Sequence, residues 1–163
     1  MGDIIVAHAS ARGRGALAVV RISGEGSHEL VARCVSQGDK FRALETRTLG
    51  LFLLIDPIDS TTVDQVVIAK YSSPKSYTSE DLVEISCHGG LAVVEKVLSV
   101  LVEAGARPAK AGEFTRRAYV HGKLDLIEAE AIKELAECES EGSRRAALKG
   151  LLGGRKQELW NRF

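Results

Sequence analysis

Two charges stand where charges are costly. Arg21 is the lone ionisable residue of the apolar run LAVVRIS at 17–23, and Glu84 sits between Val83 and Ile85. A charge in such a setting needs a partner. Two readings are open: a structural salt bridge between them, or a shared ligand. A carboxylate in apolar surroundings suits a ring bearing an amino group beside a ring N–H. An arginine with a nearby lysine suits a carboxylate-tailed molecule. A second dense patch holds Glu113, Arg116, Arg117, His121 and Lys123. Such a run is ordinarily a solvated helix face, but this one is short and glycine-bounded, so it is also placed to cover a site.

Other short patterns carry less. Cys87 and His88 are neighbours on a strand-like run, and adjacent strand residues point to opposite faces, so they make no nucleophile–base pair. Val83, Ile85 and Cys87 share one face, which reads as core, with Cys87 a buried, inert thiol. Gly13-Arg14-Gly15 lacks the third glycine and the following helix of a dinucleotide loop, so it reads as a turn in which Arg12 and Arg14 are placed to meet an anion. No GxxxxGK[ST] run occurs, so no nucleoside-triphosphate hydrolysis is expected of this chain alone. His8, His28, His88 and His121 show no metal-ligand spacing with Cys34, Cys87 and Cys138, and no metal site is expected.

The elements that must position these residues alternate between strand and helix patterns. Strands are expected at Asp3 to Ala7, Leu17 to Ser23, Thr48 to Ile55, Val63 to Tyr71 and Leu82 to His88. The third and fourth form a hairpin with a longish loop carrying Asp56-Pro57 and Asp59-Ser60. A short helix is expected around Glu29 to Val35. A longer one follows Gly89-Gly90, with Val94, Val97, Leu98, Leu101 and Val102 as its stripe and Gly105 at its end. From about Asp125 the strand signal stops. Asp125 and Glu128 have capping-box spacing, and Leu124, Ile127, Ala131, Leu135 and Cys138 fall on one stripe. Residues 125–141 hold seven acidic side chains and one basic; residues 142–163 hold six basic and one acidic. The aromatic close at Trp160 and Phe163 reads as packed.

Composition narrows the class. The 163 residues are 45% apolar and 27% charged, enough for a core. Lysine plus arginine and aspartate plus glutamate both total 22, so bulk positive charge does not drive nucleic-acid binding. No apolar run reaches the ~18 residues of a membrane span. Neither a signal layout nor a disulfide framework is present, and a cytoplasmic location is expected.

Read together, GRGALAVVRISG, SYTSEDLVEISCHGG and EAGARPAKAGEFTRRAYVHGKLDLIEAEAI resemble the N-terminal region of the MnmE/TrmE family of tRNA-modifying GTPases, over about residues 3–135. The resemblance implies an α+β fold: a mixed β-sheet domain with packed helices, of tetrahydrofolate-binding type, followed by the start of an α-helical domain. It implies boundaries of 1–124 for a folate-binding, dimerising domain and 125–163 for a partial helical domain. It implies a one-carbon tetrahydrofolate ligand (5-formyl or 5,10-methylene), a homodimer, a flavin-dependent partner protein and tRNA as substrate. The family builds the 5-aminomethyl or carboxymethylaminomethyl group on wobble uridine. GTP, Mg2+ and K+ belong to a GTPase domain whose motif this sequence lacks.

The family's folate contacts fall on Arg21 of VRISG, Glu84 of VEISCHGG and Lys123 of GKLDL; no catalytic residue carries over. Departures are Ser10-Ala11-Arg12 for a Pro-Pro pair, Ala16 for a glycine, Ser79 for the glycine of SYTGED and His121 for an asparagine. The family's C-terminal Cys-x-Gly-Lys segment is also missing. Two rivals remain: a ligand-free assembly module whose acidic-then-basic tail pairs antiparallel, and a stand-alone one-carbon transferase, disfavoured by the short chain.

Overall fold

The computed structural model describes residues 3–11, 13 and 15–153. Arg12, Arg14, Trp160 and Phe163, on which the anion and aromatic-packing readings fell, lie outside the described residues. The backbone gathers into two compact units, Met1–Lys110 and Ala111–Phe163.

In the first unit the β-branched runs become β1 (Ile5–His8), β2 (Leu17–Ser23), β3 (Thr48–Ile55), β4 (Thr62–Tyr71), β5 (Leu82–His88) and the short β6 (Arg107–Pro108). They form one sheet in the order β3-β4-β5-β2-β1-β6. Neighbours run antiparallel except β1 and β6, which are parallel, so the sheet is mixed. With α1 (Ser27–Arg33), α2 (Gly38–Arg42) and α3 (Leu91–Glu103), the architecture is the expected α+β fold. The expected β3–β4 hairpin is present. Its loop closes on aspartate turns, in which Ile58 N donates to Asp56 Oδ1 and Thr61 N to Asp59 Oδ1, both at 2.9 Å.

Helices α1 and α3 pack on one face of the sheet. There Val20, Ile22, Val66, Ile68, Val83 and Ile85 join Val94, Val97, Val100 and Leu101 of α3 in one buried cluster. Helical spacing on α3 and strict alternation on the strands put these side chains on facing surfaces. Val102, expected on the α3 stripe, is instead exposed. Gly105 takes φ +118 just past the helix end, as its position required. Helix α1 starts earlier than Glu29, because Gly26 at φ +86 turns the chain in before Ser27. Helix α2 has no pattern of its own. It is anchored by Phe41, fully buried and edge-to-face with Phe52 at 5.8 Å.

The other face of the sheet is apolar yet exposed at one end. Leu49, Leu51 and Leu53 of β3, Val67 of β4 and Leu17 of β2 all lie on it, with Leu49 71% and Leu51 54% exposed.

The second unit holds α4 (Glu113–Val120), α5 (Leu126–Glu137) and α6 (Glu141–Gly153). The Asp125 capping box is formed: Glu128 N donates to Asp125 Oδ1 at 2.8 Å, and Asp125 N to Glu128 Oε2 at 2.7 Å. The cap corrects the expected stripe. It draws Glu128 inward, 1% exposed, and leaves Ile127 outward at 61%. Ala131 is buried as expected. Helix α6 passes close beside it, since a Cβ on Gly150 would stand 3.2 Å from the Ala131 Cβ. Among the described residues no helix is long and apolar enough to cross a membrane.

Candidate functional site

Strand register builds the site. Arg21 on β2 is the direct cross-strand partner of Glu84 on β5, and Glu84 is also opposite Ala69 on β4. Both charges project from the face opposite the helix-packed core, where alternation puts every second residue. The structural salt bridge is therefore real: Arg21 Nε donates to Glu84 Oε1 at 2.9 Å, and Nη2 lies 2.7 Å from the same oxygen. Each side chain keeps 26% of its surface exposed, so the pair is reachable. The two readings of the sequence do not compete, because one oxygen serves the pair and the other stays open. Glu84 Oε2 accepts no hydrogen bond from the described residues.

One wall of this site is the loop between β4 and β5, which sequence reasoning passed over. The Arg21 guanidinium lies 5.0 Å from the centre of the Tyr77 ring. Tyr77 is flanked by two buried hydroxyl residues, Ser76 and Thr78. Ser23, at the end of β2, ties the loop down. Its hydroxyl donates to Glu80 Oε2 at 2.8 Å and so accepts from Thr78 Oγ1 at 2.6 Å, having one proton to give. Ser73 N donates to Asp81 Oδ1 and Gly24 N to Asp81 O. Ser79 holds φ +63, so the left-handed turn for which the family uses glycine is kept with serine. The hydroxyl run SYTS was the available signal. Beside the site, burial pushes the Tyr71 phenol up, and the Glu84 carboxylate adds to that rise.

The structure divides the remaining candidates. Lys123 belongs to the unit that begins at Ala111, whereas Arg21 and Glu84 belong to the first. It follows α4, with its backbone N–H donating to Ala118 O at 2.9 Å just after Gly122 at φ +69. The charged segment around α4 is not a simple solvated face. Glu113 is buried and Arg117 nearly so, and Arg117 Nη2 stands 3.4 Å from Glu113 Oε1. Cys87 is buried at 1% exposure with its thiol directed to Ala18 O, as alternation required. Burial pushes that thiol up, away from thiolate chemistry.

His88 points the other way and finds a partner the sequence hid. Its Nδ1 meets Asp64 Oδ1 at 2.7 Å, and its backbone N–H donates to Asp64 Oδ2 at 2.8 Å. Burial pushes the Asp64 carboxyl up, but the His88 and Gln65 donors outweigh it and hold the group below its ordinary value. Among the described residues no three histidine, cysteine or acidic side chains converge to hold a metal ion.

Comparison with known proteins identifies the family. The family model for the GTP-binding protein TrmE N-terminus matches residues 4–123. The tRNA modification GTPase MnmE of a Thermus thermophilus strain is 47% identical over 157 residues, which is 96% of this chain and 36% of that protein. The MnmE of Caulobacter vibrioides is 44% identical over 163 residues, covering 100% of this chain and 35% of the relative. That of Thermotoga maritima is 43% identical over 152 residues, 93% and 33% respectively. The chain thus spans about a third of the length of these curated relatives. The matched segment takes in both strands of the Arg21–Glu84 pair and ends on Lys123, and the chain belongs to the family of the GTP-binding protein TrmE N-terminus.

Proposed function

We propose that this chain is the N-terminal part of a cytoplasmic tRNA-modifying GTPase, where it binds a one-carbon tetrahydrofolate and mediates homodimerisation. Work on the wobble uridine together with a flavin-dependent partner belongs to the whole protein. Nucleotide hydrolysis belongs to a segment beyond this third of the relatives' length. The observation that carries the ligand reading is the open oxygen of Glu84, beside the Arg21 guanidinium on the sheet face opposite the helix-packed core.

The residues fit a reduced pterin on that observation. A ring N–H or amino N–H needs an acceptor oxygen with a vacant lone pair, which Oε2 supplies. Arg21 neutralises the carboxylate without occupying that oxygen. Lys123 enters as the partner of the ligand's carboxylate tail on the family resemblance alone. When bound, the folate supplies a one-carbon unit; this chain's residues bind and orient it.

Titration calorimetry with 5-formyltetrahydrofolate on the full 163-residue chain tests the reading. Saturable binding is expected, with Glu84→Ala weakening it by about ten- to a hundredfold, the range for a hydrogen bond to a charged group. A wild-type chain that shows no heat of binding at millimolar ligand overturns it.

The dimer reading rests on a different feature, the exposed leucine and valine side chains of β3 and β4. An exposed apolar patch of this kind marks an interaction surface, and a second copy is the occupant this reading assigns to it.

A further inference from the structure

The Arg21–Glu84 contact has an unusual form. A guanidinium and a carboxylate pair best as a parallel fork, one N–H to each oxygen. Here Nε donates to Oε1 at 2.9 Å, and the nearest other nitrogen, Nη2, lies 2.7 Å from that same oxygen. The fork would occupy both oxygens; the observed form leaves Oε2 open. The Tyr77 ring lies against the face of the guanidinium, its centre 5.0 Å from the Arg21 carbon. The loop that carries the ring is tied down: the flanking Ser76 and Thr78 are buried, and Thr78 is bonded through Ser23 to Glu80.

We propose that Tyr77 is a positioning residue for the ligand site: its ring face seats the Arg21 guanidinium so that only one oxygen of Glu84 is consumed and the other stays available to an N–H donor of a reduced pterin. The ligand part of this inference rests on the folate reading above; the positioning part does not. Its attraction is the ring quadrupole for the cation, so a phenyl ring replaces it and an aliphatic side chain does not. Loss of the ring frees the guanidinium to close into the parallel fork, with Arg21 and Glu84 still paired.

The test uses the full chain as wild type, Tyr77→Phe and Tyr77→Leu. Three readouts are taken: 5-formyltetrahydrofolate affinity, thermal midpoint, and the Arg21 Nε–H resonance in a proton–nitrogen correlation spectrum. Wild type and Tyr77→Phe are expected to bind within about threefold of each other. Tyr77→Leu is expected to lose roughly five- to thirtyfold at an unchanged midpoint. Its Arg21 Nε–H resonance is expected to move, because the ring current over it is gone. A Tyr77→Leu chain that binds like wild type overturns the proposal. So does a Tyr77→Phe chain as weak as Tyr77→Leu, which would assign the effect to the hydroxyl. If wild type binds no folate, the folate reading fails by itself. A crystal structure of Tyr77→Leu then decides the positioning claim: a parallel Arg21–Glu84 fork occupying both carboxylate oxygens supports it, and a contact still made through one oxygen alone overturns it.

Discussion

Three cysteines show how placement decides reactivity. Cys34 and Cys87 are buried, and burial pushes the Cys34 thiol up to about 11 and the Cys87 thiol up as well. Cys138 is only partly covered. Thiolate, not thiol, is the nucleophile. A disulfide-exchange reagent at pH 8 is therefore expected to titrate one thiol quickly in the native chain and all three in denaturant. Two fast native thiols would contradict the burial. The same shifts carry a stability consequence. Unfolded thiols lose protons near their ordinary value while the buried ones keep theirs, so the native state is relatively weakened as pH rises through that range and is unaffected below it. The Arg21–Glu84 partnership was legible in the sequence because both charges interrupt apolar strands. The His88–Asp64 contact was not, since both are ordinary polar residues at the ends of their apolar runs rather than within them.

At the scale of elements, long periodic runs were readable and short ones were not. The five main strands, the hairpin and α3 follow from β-branched alternation and from helical spacing ended by Gly105. Helix α2 and strand β6 did not declare themselves, being only five and two residues long and fixed by tertiary contacts. Among the described glycines, Gly89 marks the tightest approach. Its N–H donates to Ala16 O at 3.0 Å, and a Cβ there would lie 2.3 Å from Gly15 O and 3.0 Å from Leu17 O. Those neighbours are backbone and cannot swing aside. Gly89→Ala is expected to part β5 from the segment entering β2 and lower stability by about 2–4 kcal/mol, measured by urea unfolding. A loss below about 0.5 kcal/mol would mean the loop yields freely.

For the molecule as a whole, the sheet is covered by α1 and α3 on one side and carries exposed apolar side chains on the other. Sequence alternation predicted a strand with two faces but not which apolar face would find helices, because β3 reads as greasy throughout (TLGLFLLI). Leu51 and Val67 are direct cross-strand partners on that exposed side. If a second copy covers them, sedimentation should find wild type dimeric and Leu51→Asp monomeric, with the circular dichroism of both alike. A wild-type chain that stays monomeric at high micromolar concentration removes that reading. The lopsided sheet also has a thermal signature. Contact between bare hydrocarbon surfaces gains its strength from released water, and that gain fades on chilling. Association through this side would loosen in the refrigerator and tighten toward body heat, the reverse of one held by ion pairs and hydrogen bonds.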